Sequence, residues 1–162
     1  METLYTSQTD SPIGQLTVIA SEKGLVAIEW ECGEMLKKSR KSVHYESAPE
    51  KCGPYVQQLR QYFAGERKEF TFPLDLRGTD FQKRCWQALL EIPYGKTVSY
   101  ADIASAVGSP RAFRAVGMAN HRNPIPIVVP CHRVIASSGG LCGYGGGLSI
   151  KEKLLRLEGA LL

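Results

Sequence analysis

The chain has no CxxC pair, no apolar run long enough to span a bilayer and no complete GxxxxGK[ST] phosphate loop, and each gap removes a class of protein. Its five cysteines, Cys32, Cys52, Cys85, Cys131 and Cys142, are odd in number and irregularly spaced. That argues against a disulfide framework or a zinc ribbon and points to a reducing cytoplasm. Met1 to Gln15 is polar and lacks the apolar core of a secretory leader, so no membrane partner is expected. The glycine-rich stretch from Ala136 to Gly147 lacks the ending that grips a phosphate, so it is not a nucleotide cradle. It either presents backbone N–H groups to a flat ligand or connects two elements. The first half offers Cys32, His44 and Cys52 without ligand spacing, so no metal is expected, and His44 reads as a solvated loop residue.

What is present is an ordinary globular composition, 162 residues with 43% hydrophobic and 22% charged, enough for one domain or two small ones. The net charge of +4 divides unevenly. Residues 1–77 carry ten Lys and Arg against eleven Asp and Glu; residues 78–162 carry ten against five. The second half is therefore the part to meet a polyanion, although charge alone fits a soluble surface better.

Pattern separates the same halves. In residues 1–77, Gly14 to Ala20 and Leu25 to Trp30 read as a hairpin, Glu31 to Lys51 as a charged loop, and Tyr55, Leu59, Tyr62 and Phe63 as a helix stopping at Gly65. Phe70, Phe72 and Leu74 alternate as a further strand, making a small α+β unit. In residues 78–162, Thr79 or Asp80 caps a helix burying Phe81, Cys85, Trp86, Leu89 and Leu90. Ser99 caps Tyr100 to Val107, Gly108-Ser109-Pro110 turns, and Arg111 to Asn120 forms a second short helix. This is the layout of a helix-turn-helix. The second helix carries Arg114 and then small residues, including Ala115 and Gly117, which suit either a DNA minor groove or close helix packing. A last helix, Ser149 to Gly159, turns Ile150, Leu154, Leu155 and Leu157 inward.

The reactive signal is Asn123-Pro124-Ile125-Pro126-Ile127-Val128-Val129-Pro130-Cys131-His132-Arg133-Val134. Ile127 to Val129 reads as a buried strand that Pro130 cannot continue, so the chain turns at Cys131 and presents its sulfur at a cavity. A thiol beside an imidazole and a guanidinium ionises readily, which marks a nucleophile. Glu158, near the end of the last helix, needs a partner if it faces inward, and His132 is the candidate.

These residues resemble the O(6)-alkylguanine-DNA alkyltransferases, the methylated-DNA–protein-cysteine methyltransferases. The likeness rests on Pro130-Cys131-His132-Arg133 with Asn123-Pro124, Arg114-Ala115-Val116-Gly117, Gly143 to Gly147 and Glu158-Gly159, and in the first half on Ser11-Pro12-Ile13-Gly14 and Tyr62 to Gly65. It implies an α+β chain of two small domains. Residues 1–77 would form an RNase H-like supporting domain, and residues 78–162 a mainly helical, winged helix-turn-helix-like domain that binds DNA and accepts the alkyl group.

The implied activity is a one-step, irreversible transfer of an alkyl group from O(6)-alkylguanine in double-stranded DNA to Cys131, with O(4)-alkylthymine as a further substrate. No cofactor and no obligate protein partner are implied. His132 would act as a water-mediated base oriented by Glu158, Tyr100 would donate to the guanine, and Asn123 would be a hinge. Arg114 would be the finger filling the stack after base flipping. Ala101, Ser109, Phe113, Ala115, Gly117 and Ser137 would meet DNA; Pro126, Val134, Tyr144 and Gly145 would line the base pocket. Phe113 stands where the family usually has alanine, and Gly145 where some members have serine. A recognition module for alkylated DNA would share this scaffold but lack the cysteine, and a cysteine hydrolase would bring its histidine from a distant segment.

Overall fold

In the computed structural model, residues 2–30, 43–136 and 147–161 are described, and the chain divides into two compact units, Met1–Arg77 and Gly78–Leu162. In the first unit four strands form one sheet: β1 (Glu2–Thr9), β2 (Leu16–Ala20), β3 (Leu25–Trp30) and β4 (Val43–Ser47), in the order β3-β2-β1-β4. The β1–β2 and β2–β3 pairs are antiparallel and β1–β4 is parallel, with Tyr5 opposite Ala20 and Leu16 opposite Trp30. Every residue of β2 is buried, as befits an inner strand covered on both faces. Helix α1 (Pro49–Phe63) packs on β1 and β2 through Cys52, Tyr55, Leu59 and Tyr62, a stripe at helical spacing.

Two expectations for this unit are corrected, and one segment left unassigned by the sequence takes on structure. The polar N-terminal segment is strand β1, and part of the expected charged loop is strand β4 and the start of α1. Neither segment carries an apolar alternation that would announce a strand, because β4 is a mostly exposed edge. Phe70, Phe72 and Leu74 do not form a strand. Pro73 has no N–H to offer, so only Leu74 makes a bridge, to Leu25. Phe72 instead meets the Tyr55 ring edge-on at 4.8 Å, and Phe70 lies 5.5 Å from Tyr62. The bridge brings Pro73 so close that a Cβ on Gly24 would lie 2.6 Å from its carbonyl oxygen.

In the second unit, α2 (Asp80–Leu90) begins at a capping box between Thr79 and Gln82 and buries Cys85, Trp86 and Leu89, leaving Leu90 exposed. A second capping box, Ser99 with Asp102, starts α3 (Tyr100–Ala106). Then α4 (Phe113–His121) is fastened to α2 by the Trp86 indole, which donates to the Ala119 carbonyl at 2.9 Å. Two short strands, β5 (Val98–Ser99) and β6 (Val134–Ile135), pair in parallel. Helix α5 (Leu148–Leu157) buries Lys151, Leu154 and Leu155, while Ile150 and Leu157, expected inside, are half-buried.

Candidate active site

The segment expected as a strand, Ile127 to Val129, is a compact turn. The Val129 amide donates to Ile125 O at 2.9 Å and the Cys131 amide to Val129 O at 2.8 Å. Asn123 fixes this turn from within. Its Nδ2 donates to Val129 O at 2.8 Å and its Oδ1 accepts from the Ile125 amide at 2.9 Å. Ile127 is fully buried at φ +77°, a region that costs a β-branched residue dearly. Periodicity alone cannot tell such a turn from a strand, because both are short buried apolar runs.

The turn delivers Cys131 into a single 3₁₀ turn, Cys131–Arg133, whose three side chains are all buried. Cys131 is 7% exposed, so its sulfur sits in the wall of the unit and is not openly presented. His132 is fully buried and its Nε2 lies 2.7 Å from Glu158 Oε2. Glu158 follows α5 at its C-terminal cap, which swings the carboxylate back to the 3₁₀ turn.

Arg133 completes the set. Its Nε donates to Glu158 Oε1 at 2.8 Å, its Nη2 to Oε2 at 3.0 Å, and its Nη1 to the Ile92 carbonyl at 2.7 Å. Its guanidinium also lies 5.7 Å from the Tyr94 ring. Its charge is therefore committed to Glu158, a role that the sequence reading did not give it. A carboxylate forked by a guanidinium is ionised and only accepts, so His132 Nε2 carries the proton it donates. The lone pair then sits on Nδ1, which is buried without a hydrogen-bond partner among the described residues. Burial, with help from Arg133 and Lys151, holds the imidazole pKa below its ordinary value, against the opposing pull of Glu158. The resting imidazole is neutral and ready to accept a proton at Nδ1.

Two further residues went unnoticed in the sequence. Lys151, 1% exposed, donates to the Val134 carbonyl at 2.6 Å and ties α5 to the strand after the 3₁₀ turn. Gly95, at φ +79°, lets the backbone run close to Glu158, where a Cβ would lie 3.0 Å from the Glu158 carbonyl oxygen. A charged residue on an otherwise apolar helix stripe was the available signal for Lys151.

The remaining candidates fall into groups. Pro126 and Val134 are buried around the 3₁₀ turn. Tyr100, half-buried, opens α3, and Ala101 beside it is exposed. Ser109, half-buried, accepts from the Ala112 amide at 2.8 Å in the turn between the two helices. Phe113, Arg114 and Ala115 are exposed on α4, and Gly117 is half-buried. A Cβ on Gly117 would meet only Tyr100 Cε1, at 3.9 Å, which is ordinary contact. Close packing within the unit therefore does not require glycine there. Ser137, Cys142, Tyr144 and Gly145 lie outside the described residues, as does Cys32. Among the described residues no group of three or more His, Cys, Asp or Glu gathers at metal-binding range, and no helix is long and apolar enough to cross a membrane.

A four-stranded α+β unit followed by a helix-turn-helix unit with a buried Cys-His-Glu-Arg set defines a class: two-unit proteins that join a helix-turn-helix to a buried thiol site. The family model of the 6-O-methylguanine DNA methyltransferase ribonuclease-like domain matches residues 3–76, and that of the same family's DNA-binding domain matches residues 80–160. A methylated-DNA–protein-cysteine methyltransferase of Mycobacterium tuberculosis is 52% identical over 149 residues, covering 92% of this chain and 88% of the relative. One from Methanosarcina acetivorans is 47% identical over 157 residues, covering 97% and 99%. The crystal structure of Mycobacterium tuberculosis OGT in complex with DNA, 49% identical, superimposes with a TM-score of 0.82 over 98% of this chain and 93% of that one. The chain belongs to the methylated-DNA–protein-cysteine methyltransferase family.

Proposed function

We propose that this chain repairs alkylated DNA by direct reversal, moving the alkyl group of an O(6)-alkylguanine irreversibly onto Cys131. The observation that carries this reading is the buried His132–Glu158–Arg133 set adjoining Cys131, with the lone pair of Nδ1 unspent. The Cys131 sulfur attacks the alkyl carbon in line, the S–C bond forms, and the C–O bond breaks with its electron pair passing into the guanine ring. The thiol proton passes through a water to His132 Nδ1, and the imidazolium is stabilised by Glu158. The leaving guanine takes up one proton from the Tyr100 hydroxyl, and the imidazolium returns the thiol proton through solvent to the phenolate, so both side chains end as they began. No cofactor enters this balance.

Asn123 holds the turn that aims the sulfur. Arg114 fills the gap left by the flipped base, and Pro126, Val134, Tyr144 and Gly145 wall the base pocket. Ala101, Ser109, Ala115, Gly117 and Ser137 meet the duplex. In this scheme residues 78–162 bind DNA and accept the alkyl group, while residues 1–77 support them. Because the acceptor must remain a thiol, the protein works in a reducing cytoplasm.

Incubation with a duplex carrying one O(6)-methylguanine, followed by intact mass and peptide mapping, tests the reading. One added methylene equivalent, on Cys131, saturating at one per protein, is expected. Tight binding of the lesion without modification would instead identify a recognition module.

A further inference from the structure

Four large apolar side chains stay exposed among the described residues, Leu90, Phe113, Met118 and Leu148, and two of them share the nine-residue helix α4. Phe113 is 52% exposed and Met118 53%. They bracket Arg114: at about 100° per residue, Met118 lies one turn along on the same face, and Phe113 opens the helix beside it. Val116, Ala119 and Asn120, which turn away from Arg114 and Met118, are buried, and Phe113 stands in their column, three and seven residues before Val116 and Asn120, yet is exposed at the first position of the helix.

The charge around this face selects its occupant. Between Asp102 and Glu152 the sequence holds no Asp or Glu, whereas Arg111, Arg114 and Arg122 stand exposed at or beside α4. An exposed arginine between two large exposed apolar side chains, in a stretch of sequence without carboxylates, complements a polyanion whose interior is apolar, which describes duplex DNA with a parted base step. The room at Gly117 points the same way, since the small residue there serves an approach from outside the unit.

We propose that Phe113 is an apolar wedge that enters the minor-groove face of the duplex beside Arg114 and, with Met118 on the other flank, holds apart the step that the alkylated base has left. Aromatic wedges of this kind stack on the exposed base and offset the loss of stacking. The inference rests on the repair reading.

The test compares single-turnover transfer to Cys131 from a short duplex containing O(6)-methylguanine with transfer from the soluble nucleobase O(6)-benzylguanine, which needs no wedge. Phe113→Ala is expected to lower the duplex-to-nucleobase rate ratio about tenfold, and Phe113→Trp to restore it. Leu90→Ala, which trims an exposed side chain on α2, is expected to leave the ratio unchanged. A ratio that stays level or rises in Phe113→Ala would overturn the proposal, the rise marking the ring as an obstruction. Equal losses on both substrates would assign Phe113 to the fold of the unit and overturn it too. A loss seen only on long duplexes that seat several proteins would make Phe113 a contact between copies, again against the wedge. If the unsubstituted protein accepts no alkyl group from either substrate, it is the repair reading that fails.

Discussion

Glu158 is the residue on which the site turns, because one carboxylate serves both His132 and Arg133 in a place sealed from water. Glu158→Gln removes the counter-charge of a buried guanidinium and substitutes an amide whose N–H₂ opposes donors. Breaking a buried pair from one side costs about 3–5 kcal/mol, and urea unfolding should show a loss of that order. The neutrality of His132 makes a second prediction. Burial holds the folded pKa below that of the unfolded chain, about 6.5, so between those two values the unfolded state binds more protons. Stability is therefore full above about pH 6.5 and declines as pH falls beneath it. Alkyl transfer follows the folded value: the rate should stay level through pH 6.5 and drop only at lower pH. A pH–rate profile with its midpoint at or above the ordinary histidine value would refute a neutral resting imidazole.

Among the elements, the turn from Asn123 to Cys131 decides where the sulfur goes, and it holds its shape against local preference. Ile127 is the one non-glycine residue at positive φ among those described, yet its side chain is wholly buried. Both Ile127→Ala and Ile127→Gly lose core contacts, but only glycine relieves the backbone. The glycine variant should be more stable than the alanine variant by about 1 kcal/mol. At Val129, whose backbone is ordinary, the order should reverse. Chemical denaturation of the four variants checks this crossing of ranks. If glycine loses at both positions, the turn is not under the tension inferred.

For the whole molecule, charge is the property that matters. The stretch from residue 103 to 151 carries no carboxylate, and the flanking arginines are exposed, so binding to duplex DNA should weaken steeply with salt. Replacing Arg111 with Ala should reduce the slope of log affinity against log salt by about one, the contribution of a single phosphate contact. Fluorescence anisotropy between 50 and 200 mM salt, about the range where such losses are large, measures it. A slope unchanged by the substitution would remove Arg111 from the interface. Cys52 and Cys85 stay out of the chemistry, since burial pushes the Cys52 thiol up to about 11 and raises that of Cys85 as well.

Much of this was readable from residues alone. The helices of 78–162 follow from capping residues and apolar spacing, and both capping boxes lie where Thr79 and Ser99 stand in the sequence. The division of charge, the family likeness and the choice of Cys131 and His132 as candidates also need no coordinates, because they depend on residue types and their order. Three things do not. Strand β1 forms because β2, β4 and α1 flank it, and β4 forms by pairing in parallel with β1; their own pattern gives no hint. The turn at Ile127 is imposed by Asn123 and surrounding packing, against the propensity of a β-branched run. The commitment of Arg133 to Glu158, twenty-five residues away, and the burial of Lys151 arise only when α5 folds back onto the 3₁₀ turn. Sequence order names the candidate groups; the charge state of His132 depends on which groups are brought together and shut away from water, and that is a property of the tertiary structure.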